Sequence, residues 1–124
     1  MGQSPILRSD GNYIREYVYA RDVSSAYLTL AEKISSTGVV GECFNFSLET
    51  QVMVLEIVHK IRKAMNREDV QPTIINTAKG EIRNQYFSPA KARRVLGWKP
   101  AYSFEQGLEE SVAWYRDFLH SQGL

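Results

Sequence analysis

Short apolar runs alternate along the chain with segments in which apolar residues recur every three or four positions. Four helix-period segments stand out, separated by strand-like stretches. Residues 5–8 and 14–20 read as strands, the second carrying Ile14, Tyr17, Val18 and Tyr19, whose β-branched and aromatic side chains suit a pleated surface. Ser9-Asp10-Gly11-Asn12 between them is a turn cluster, so the pair is expected to form a hairpin. A helix follows with Asp22 as N-cap. It places Val23, Ala26, Tyr27, Leu30 and Ala31 on one face and ends by Ser35-Ser36-Thr37-Gly38.

Residues 42–47 predict another strand. The next helix carries Val54, Ile57, Val58, Ile61 and Met65 on one stripe, with His59, Lys60, Arg62 and Lys63 outside it. Val70–Ile75 reads as a strand and Asn76–Glu81 as a loop. Ser88-Pro89 then has the order of an N-cap followed by proline at the first helical position, opening a short helix over 89–96. Gly97 suits the position just past its end, and Trp98-Lys99-Pro100 cannot continue it. Ser103 with Gln106 three residues later is a capping box. It opens a last helix with Leu108, Ser111, Val112, Tyr115 and Leu119 on one face. Strands alternating with helices predict an α/β unit.

The length of 124 residues bounds this to one domain, and 44% hydrophobic with 23% charged residues is ordinary for a soluble globular chain. Fifteen Lys and Arg against fourteen Asp and Glu leave a net charge of +1, which excludes a broad basic field for gripping nucleic acid by charge alone. No apolar run approaches the ~20 residues of a membrane helix, and Met1-Gly2-Gln3-Ser4-Pro5 lacks the order of a signal peptide. Neither a membrane nor nucleic acid is therefore expected as a partner. Cys43 is the only cysteine, so no internal disulfide and no cysteine-based zinc site can form. It reads as a small buried hydrophobe in a reducing, cytoplasmic setting.

The eight glycines never take the spacing of a dinucleotide-binding turn: Gly38 and Gly41 are three apart, but position 44 is Phe, and they follow a helix. No phosphate-binding P-loop and no nucleophile elbow occurs. His59 and His120 lie on different helices and read as solvent-facing. Glu109 and Glu110 are adjacent and point to different helix faces, so they form no carboxylate dyad. Basic residues gather at Lys91, Arg93, Arg94 and Lys99, but Trp98 and Tyr115 read as core anchors, not as a stacking platform. No catalytic constellation, metal site or cofactor cradle is expected in this chain.

Arg15-Glu16-Tyr17-Val18-Tyr19-Ala20-Arg21-Asp22-Val23 resembles a motif of the extended short-chain dehydrogenase/reductases, the nucleotide-sugar epimerases and dehydratases. Gly41-Glu42-Cys43-Phe44-Asn45-Phe46-Ser47 is similar to the family's strand ending in Phe/Tyr-Asn, and Val54–Val58 to the helix after it. Lys91–Pro100 resembles the segment Lys-Ala-x-x-x-Leu-Gly-Trp-x-Pro, and Ser103–Leu108 with Trp114-Tyr115 the closing helix. Arg8-Ser9-Asp10-Gly11 and Glu81–Tyr86 look closest to nucleotide-sugar 4,6-dehydratases, CDP-glucose 4,6-dehydratases among them. The resemblance covers only the family's C-terminal third. It implies the C-terminal part of a Rossmann-like α/β fold, read here as a single domain over 1–124 that lacks the N-terminal half.

Full-length members bind NAD(P) through a glycine-rich N-terminal half and use a Tyr-x-x-x-Lys pair. None of the seven tyrosines here has Lys four positions later. The resemblance thus implies a portion that grips a nucleotide-diphosphate sugar, is inactive alone and binds no NAD(P) alone. Arg15 is the first candidate, matching the family's motif arginine; a planar guanidinium fork suits a diphosphate. An ion pair of Arg15 with Asp10 or Glu16 is the plain structural alternative. Asn45, between Phe44 and Phe46, needs polar partners if buried. Family members often carry Arg-x-Gly-Asp where this chain has Ala78-Lys79-Gly80-Glu81, so Lys79 or Arg83 stands in for the missing arginine. Tyr86 and Arg8 complete the candidate substrate contacts. Met53 occupies a place where the family often has Thr; it cannot cap the following helix, whose start is looser by ~1 kcal/mol. The competing reading is a non-catalytic module that self-associates through apolar surface that a Rossmann half covers in full-length relatives.

Overall fold

The computed structural model describes residues 3–36 and 38–123. Met1 and Gly2 of the amino-terminal stretch, Thr37 of the helix-ending cluster and Leu124 lie outside the described residues. The element order is β1 (Ile6–Leu7), β2 (Ile14–Glu16), α1 (Ala20–Lys33), β3 (Gln51–Met53), α2 (Val54–Ala64), β4 (Thr73–Ile74), a π-helical turn (Ala92–Leu96) and α3 (Phe104–Ser121). This is the α/β alternation expected.

The expected hairpin does not form. β1 pairs in parallel with β4, Ile6 opposite Thr73 and Leu7 opposite Ile74, whereas β2 pairs antiparallel with β3, Ile14 opposite Met53 and Glu16 opposite Gln51. The turn cluster instead bends the chain into α2. Ser9 Oγ accepts the Gly11 N–H at 3.2 Å, and the Gly11 carbonyl accepts the Leu55 N–H at 2.9 Å. Gly11 has φ +86°, and a Cβ there would lie 3.0 Å from Leu55 Cβ, so the turn demands glycine twice over.

Tyr17, Val18 and Tyr19 continue beyond β2 without ladder partners, and residues 42–47 form no strand. The predicted strand at 70–75 shrinks to Thr73–Ile74. A strand exists only where a neighbour supplies its hydrogen bonds, and no described segment lies beside 42–47 to do so.

α1 begins earlier than expected, with Tyr19 at the N-cap and no side-chain cap. Asp22 is instead fully buried and reaches across the fold. Its Oδ1 accepts the Ala101 N–H at 2.8 Å and its Oδ2 the Tyr102 N–H at 3.3 Å. The Trp98 indole N–H donates to Ser25 Oγ at 3.0 Å one turn later. The buried side of α1 therefore contains Asp22 and Ala26, while Val23 and Tyr27 of the predicted stripe are exposed.

Two small cores result. Ala26, Val39, Ala92, Leu96 and Trp98 form one, with Phe46 set edge-on to Trp98 at 5.0 Å. Val52, Ile57 and Phe104 form the other, with Tyr17, Ile61 and Leu108 against it. Trp98 is the core anchor expected; Tyr115 is 60% exposed, because α3 runs past the elements that would cover that face. Cys43 is likewise exposed, since its segment has no covering layer. Arg62, expected outside, is buried at the C-terminal end of α2. There its Nη1 is 2.9 Å from His59 Nδ1 and its Nη2 donates to the Glu68 carbonyl, which folds the chain back after the helix.

Local punctuation follows the sequence closely. Met53 stands at the N-cap of α2 without a side-chain bond. Gly97 closes the π-helical turn at φ 66°. Both capping-box bonds form, Gln106 N–H to Ser103 Oγ at 3.1 Å and Ser103 N–H to Gln106 Oε1 at 2.9 Å. Inside α3, Gly107 is buried against Tyr19, where an added Cβ would meet Tyr19 Cβ at 2.8 Å.

Two stability measurements test this packing. Asp22→Ala strands the Ala101 and Tyr102 amides and is expected to cost about 1–3 kcal/mol in chemical denaturation. Gly107→Ala, which helix propensity alone would make stabilising, is expected to destabilise by about 1–3 kcal/mol because the backbone approach to Tyr19 leaves no room.

Candidate functional site

β2 is three residues long, yet it carries bonds on both edges. On one side lies β3. On the other, the Ile14 N–H donates to the Arg83 carbonyl at 2.9 Å and the Ile14 carbonyl accepts the Gln85 N–H at 3.1 Å, forming a parallel bridge between Ile14 and Asn84. Glu16 extends this seam with its side chain, accepting the Phe87 N–H at 2.9 Å and the Ser47 hydroxyl at 2.8 Å. A third strand of contact comes from β1: beyond it, the Arg8 carbonyl accepts the Ala78 N–H at 2.8 Å. Backbone pairing thus brings the distant 78–85 segment beside residues 8 and 15, which flank the 9–12 turn.

Their side chains share two carboxylates. Arg8 Nη2 donates to Glu81 Oε1 at 3.1 Å, and Arg15 Nη2 lies 3.7 Å from Glu81 Oε2. Arg83 Nη2 lies 3.3 Å from Asp10 Oδ2. Arg15 is also held by its own backbone neighbours, with Nη1 donating to the Ile14 carbonyl at 2.8 Å and to the Arg83 carbonyl at 3.3 Å. Its side chain is 22% exposed, against 75% for Arg8 and 65% for Arg83. The Asn12 backbone N–H, 2.9 Å from Asp10 Oδ1, holds the Asp10 carboxyl below the ordinary aspartate range, and the Arg83 guanidinium adds to this. Three guanidiniums against two carboxylates leave one positive charge in excess, on a surface open to solvent.

The ion-pair partner of Arg15 is Glu81, not Asp10 or Glu16; Glu16 turns the other way, toward Ser47 and Phe87. Lys79 follows Ala78 in the loop beside Arg8 and is exposed. Tyr86 is 54% exposed one residue past the Gln85 bond to Ile14. Asn45 is not among aromatics in a core: it is exposed, on the segment anchored by Phe46 to Trp98 and by Ser47 to Glu16, so it has no need of an internal partner.

Two features escaped the sequence reading. One is Glu81 as the shared carboxylate. The other is Tyr13, whose ring centroid lies 5.5 Å from Arg15 Cζ and 5.6 Å from Arg83 Cζ. The alternating position two residues before Arg15 was the only available signal for Tyr13, and alternation along a strand does not say which loop crosses it.

A cleft of about 540 Å³ lies elsewhere, in the groove between α2 and α3. Its Lys60, Lys63 and Arg116 also outnumber Glu105 and Glu109 by one, but Lys60 is already 3.4 Å from Glu105 and Arg116 is the only guanidinium among the residues that line it, so no arginine forks converge there. Among the described residues, no cluster of His, Cys, Asp and Glu could hold a metal ion, and no helix is long and apolar enough to cross a membrane. β3 runs into α2 at Met53-Val54 with no glycine between, and Tyr17–Tyr19 separates β2 from α1, so neither strand–helix junction offers a glycine turn to cradle a pyrophosphate.

Residues 1–111 match the family model described as GDP-mannose 4,6 dehydratase. A dTDP-glucose 4,6-dehydratase of Xanthomonas campestris is 30% identical over 123 residues, covering 92% of this chain and 34% of the relative. The structure of a Thermotoga maritima UDP-glucose 4-epimerase with UDP-glucose superposes with a TM-score of 0.83 at 29% identity, over 95% of this chain and 36% of that one. A dTDP-glucose 4,6-dehydratase of Bacillus anthracis in complex with NAD gives a TM-score of 0.78 at 27% identity, over 94% of this chain and 35% of that one. The chain spans about a third of the length of the relatives it matches.

The Asp10 environment gives a direct check. Its carboxyl is expected to titrate below the ordinary 3.8, by carbon-detected NMR, and Arg83→Ala should raise the midpoint only part of the way, because the Asn12 N–H remains. A carboxyl lowered in the folded state contributes stability above its unfolded value, so this contribution is lost as pH falls through the folded midpoint.

Proposed function

The chain belongs to the GDP-mannose 4,6-dehydratase family, among the nucleotide-sugar dehydratases and epimerases, and from that premise we propose that it grips the diphosphate of a nucleotide sugar at Arg8, Arg15 and Arg83. The observation that carries this reading is the convergence of three guanidiniums from three separate segments on one exposed surface. Guanidinium forks bind phosphate oxygens in pairs, with geometric selectivity that a lysine lacks. Glu81 and Asp10 hold the forks in place and yield them to a more highly charged ligand, since exposed ion pairs with N···O of 3.1 to 3.7 Å are weak. Lys79 and Tyr86 border the cluster and add a charge and a ring to its rim; Asn45, on the segment held by Ser47 to Glu16 and by Phe46 to Trp98, has no contact among the described residues that brings it to the cluster and is left out of this grip.

In this role the chain supplies binding energy and orientation, not the reacting groups. Gripping the nucleotide end of a substrate fixes the sugar at its other end, which is how remote binding energy serves a reaction. Hydride chemistry with NAD(P) is assigned to the larger relatives, and no redox step is assigned to these residues, whose β2–α1 and β3–α2 junctions carry no glycine turn. The proposed role belongs to a reducing, cytoplasmic setting, in keeping with the lone Cys43.

A second reading, self-association, is favoured by one observation: large apolar side chains stand exposed on two helices, Tyr27 and Leu28 on α1 and Trp114 and Tyr115 on α3. A single monomeric species in light scattering would remove it.

Calorimetric titration with UDP-glucose, dTDP-glucose, GDP-mannose and CDP-glucose tests the binding role. At least one is expected to bind saturably, and Arg15→Ala to weaken it by about tenfold or more. Absence of saturable binding by all four would overturn the proposal.

A further inference from the structure

The Tyr13 ring lies against two cationic side chains at once, Arg15 at 5.5 Å and Arg83 at 5.6 Å. These arginines come from positions 68 residues apart and repel one another. Tyr13 itself is fixed. It adjoins Ile14 at the start of β2, and its carbonyl accepts the Val54 N–H at 3.0 Å, where β3 turns into α2. The ring is half-buried and its hydroxyl makes no hydrogen bond among the described residues, so what it offers its neighbours is the aromatic face.

We propose that Tyr13 is a positioning residue for the diphosphate: its ring holds the Arg15 and Arg83 guanidiniums side by side when the carboxylates let go. This deepens the reading given under Proposed function and rests on it. In the free protein, Asp10 pairs with Arg83, and Glu81 is shared between Arg15 and Arg8. A bound diphosphate takes over those bonds, and the carboxylates then become repulsive neighbours of the ligand. An aromatic face attracts a cation without competing for its N–H donors, so it goes on holding both forks through that exchange while leaving the donors free for phosphate oxygens. Forks held in advance lose less side-chain freedom on binding, and affinity rises accordingly. Arg8 has no such support: its side chain is 75% exposed, and among the described residues Glu81 is the only partner of its guanidinium.

The test uses the chain itself, with UDP-glucose, dTDP-glucose, GDP-mannose and CDP-glucose as probes in calorimetry. Tyr13→Leu, which keeps an apolar side chain and removes the ring, is expected to weaken the best-bound probe about tenfold. Its thermal midpoint should stay within a degree or so of the original, and Tyr13→Phe should bind like the unaltered chain. Independently of any variant's folding, proton NMR of the unaltered chain should show the side-chain protons of Arg15 and Arg83 shifted upfield by the ring. Tyr13→Leu binding as tightly as the unaltered chain would overturn the proposal while leaving the arginine site standing. So would Tyr13→Phe binding as weakly as Tyr13→Leu, or the absence of ring-shifted arginine protons. Failure of the unaltered chain to bind any of the four probes would instead remove the site, and the role of Tyr13 with it.

Discussion

The backbone of Ile14 holds this fold's arginine-bearing surface together. Its N–H and carbonyl both bond to the 83–85 segment, while the same short strand pairs with β3 on its other edge. Neither bond depends on a side chain, so the seam forms whatever residue occupies position 14, provided it is not proline. Once the seam exists, Arg83 must lie beside Arg15, and like charges are brought together against their mutual repulsion. Glu81, Asp10 and the Tyr13 ring then appear as the compensation that makes such a seam tolerable.

The two buried acidic and basic groups show the opposite arrangement. Asp22 is sealed in the interior and satisfied by two backbone amides that join α1 to the approach of α3. Arg62 is sealed at the end of α2 by His59 and the Glu68 carbonyl. Both act as staples between segments: Asp22 is fully enclosed, and Arg62, although it borders clefts beside α2, spends both terminal nitrogens on these bonds. The arginines around β2 have weak, exposed partners and are the ones whose charge remains available. Burial, not charge alone, separates scaffold from site here.

The sequence made the local features legible, because a few adjacent residues determine each. The Ser103–Gln106 box, the stop at Gly97 and the uncapped start at Met53 all depend on side chains within four residues of the bond they make or lack. Pairings across the chain were not legible. Nothing in Ser9–Asn12 says that the chain bends toward α2 instead of folding β1 onto β2. The Asp22 side chain carries the signature of an N-cap and is used for a bond 79 residues away. The 42–47 run predicts a paired strand and no described segment pairs with it, whereas the α1 stripe is covered at Ala26 and Leu30 and left open at Val23 and Tyr27.

Of the site, the arginines were visible through motif resemblance, but the groups that organise them were not. As the structural alternative to a ligand contact, Asp10 and Glu16 were the ion-pair partners open to Arg15. It meets Glu81 instead, because the 83–85 seam brings the preceding loop over β2 while Glu16 is drawn away to Ser47 and Phe87. The same seam swings Arg83 toward Tyr13, so one crossing of backbone decides both the ion pairs and the ring contact. A motif names the residue that can bind a phosphate; the non-local pairing of the chain decides which neighbours tune it, and that pairing is where the physical basis of this surface lies.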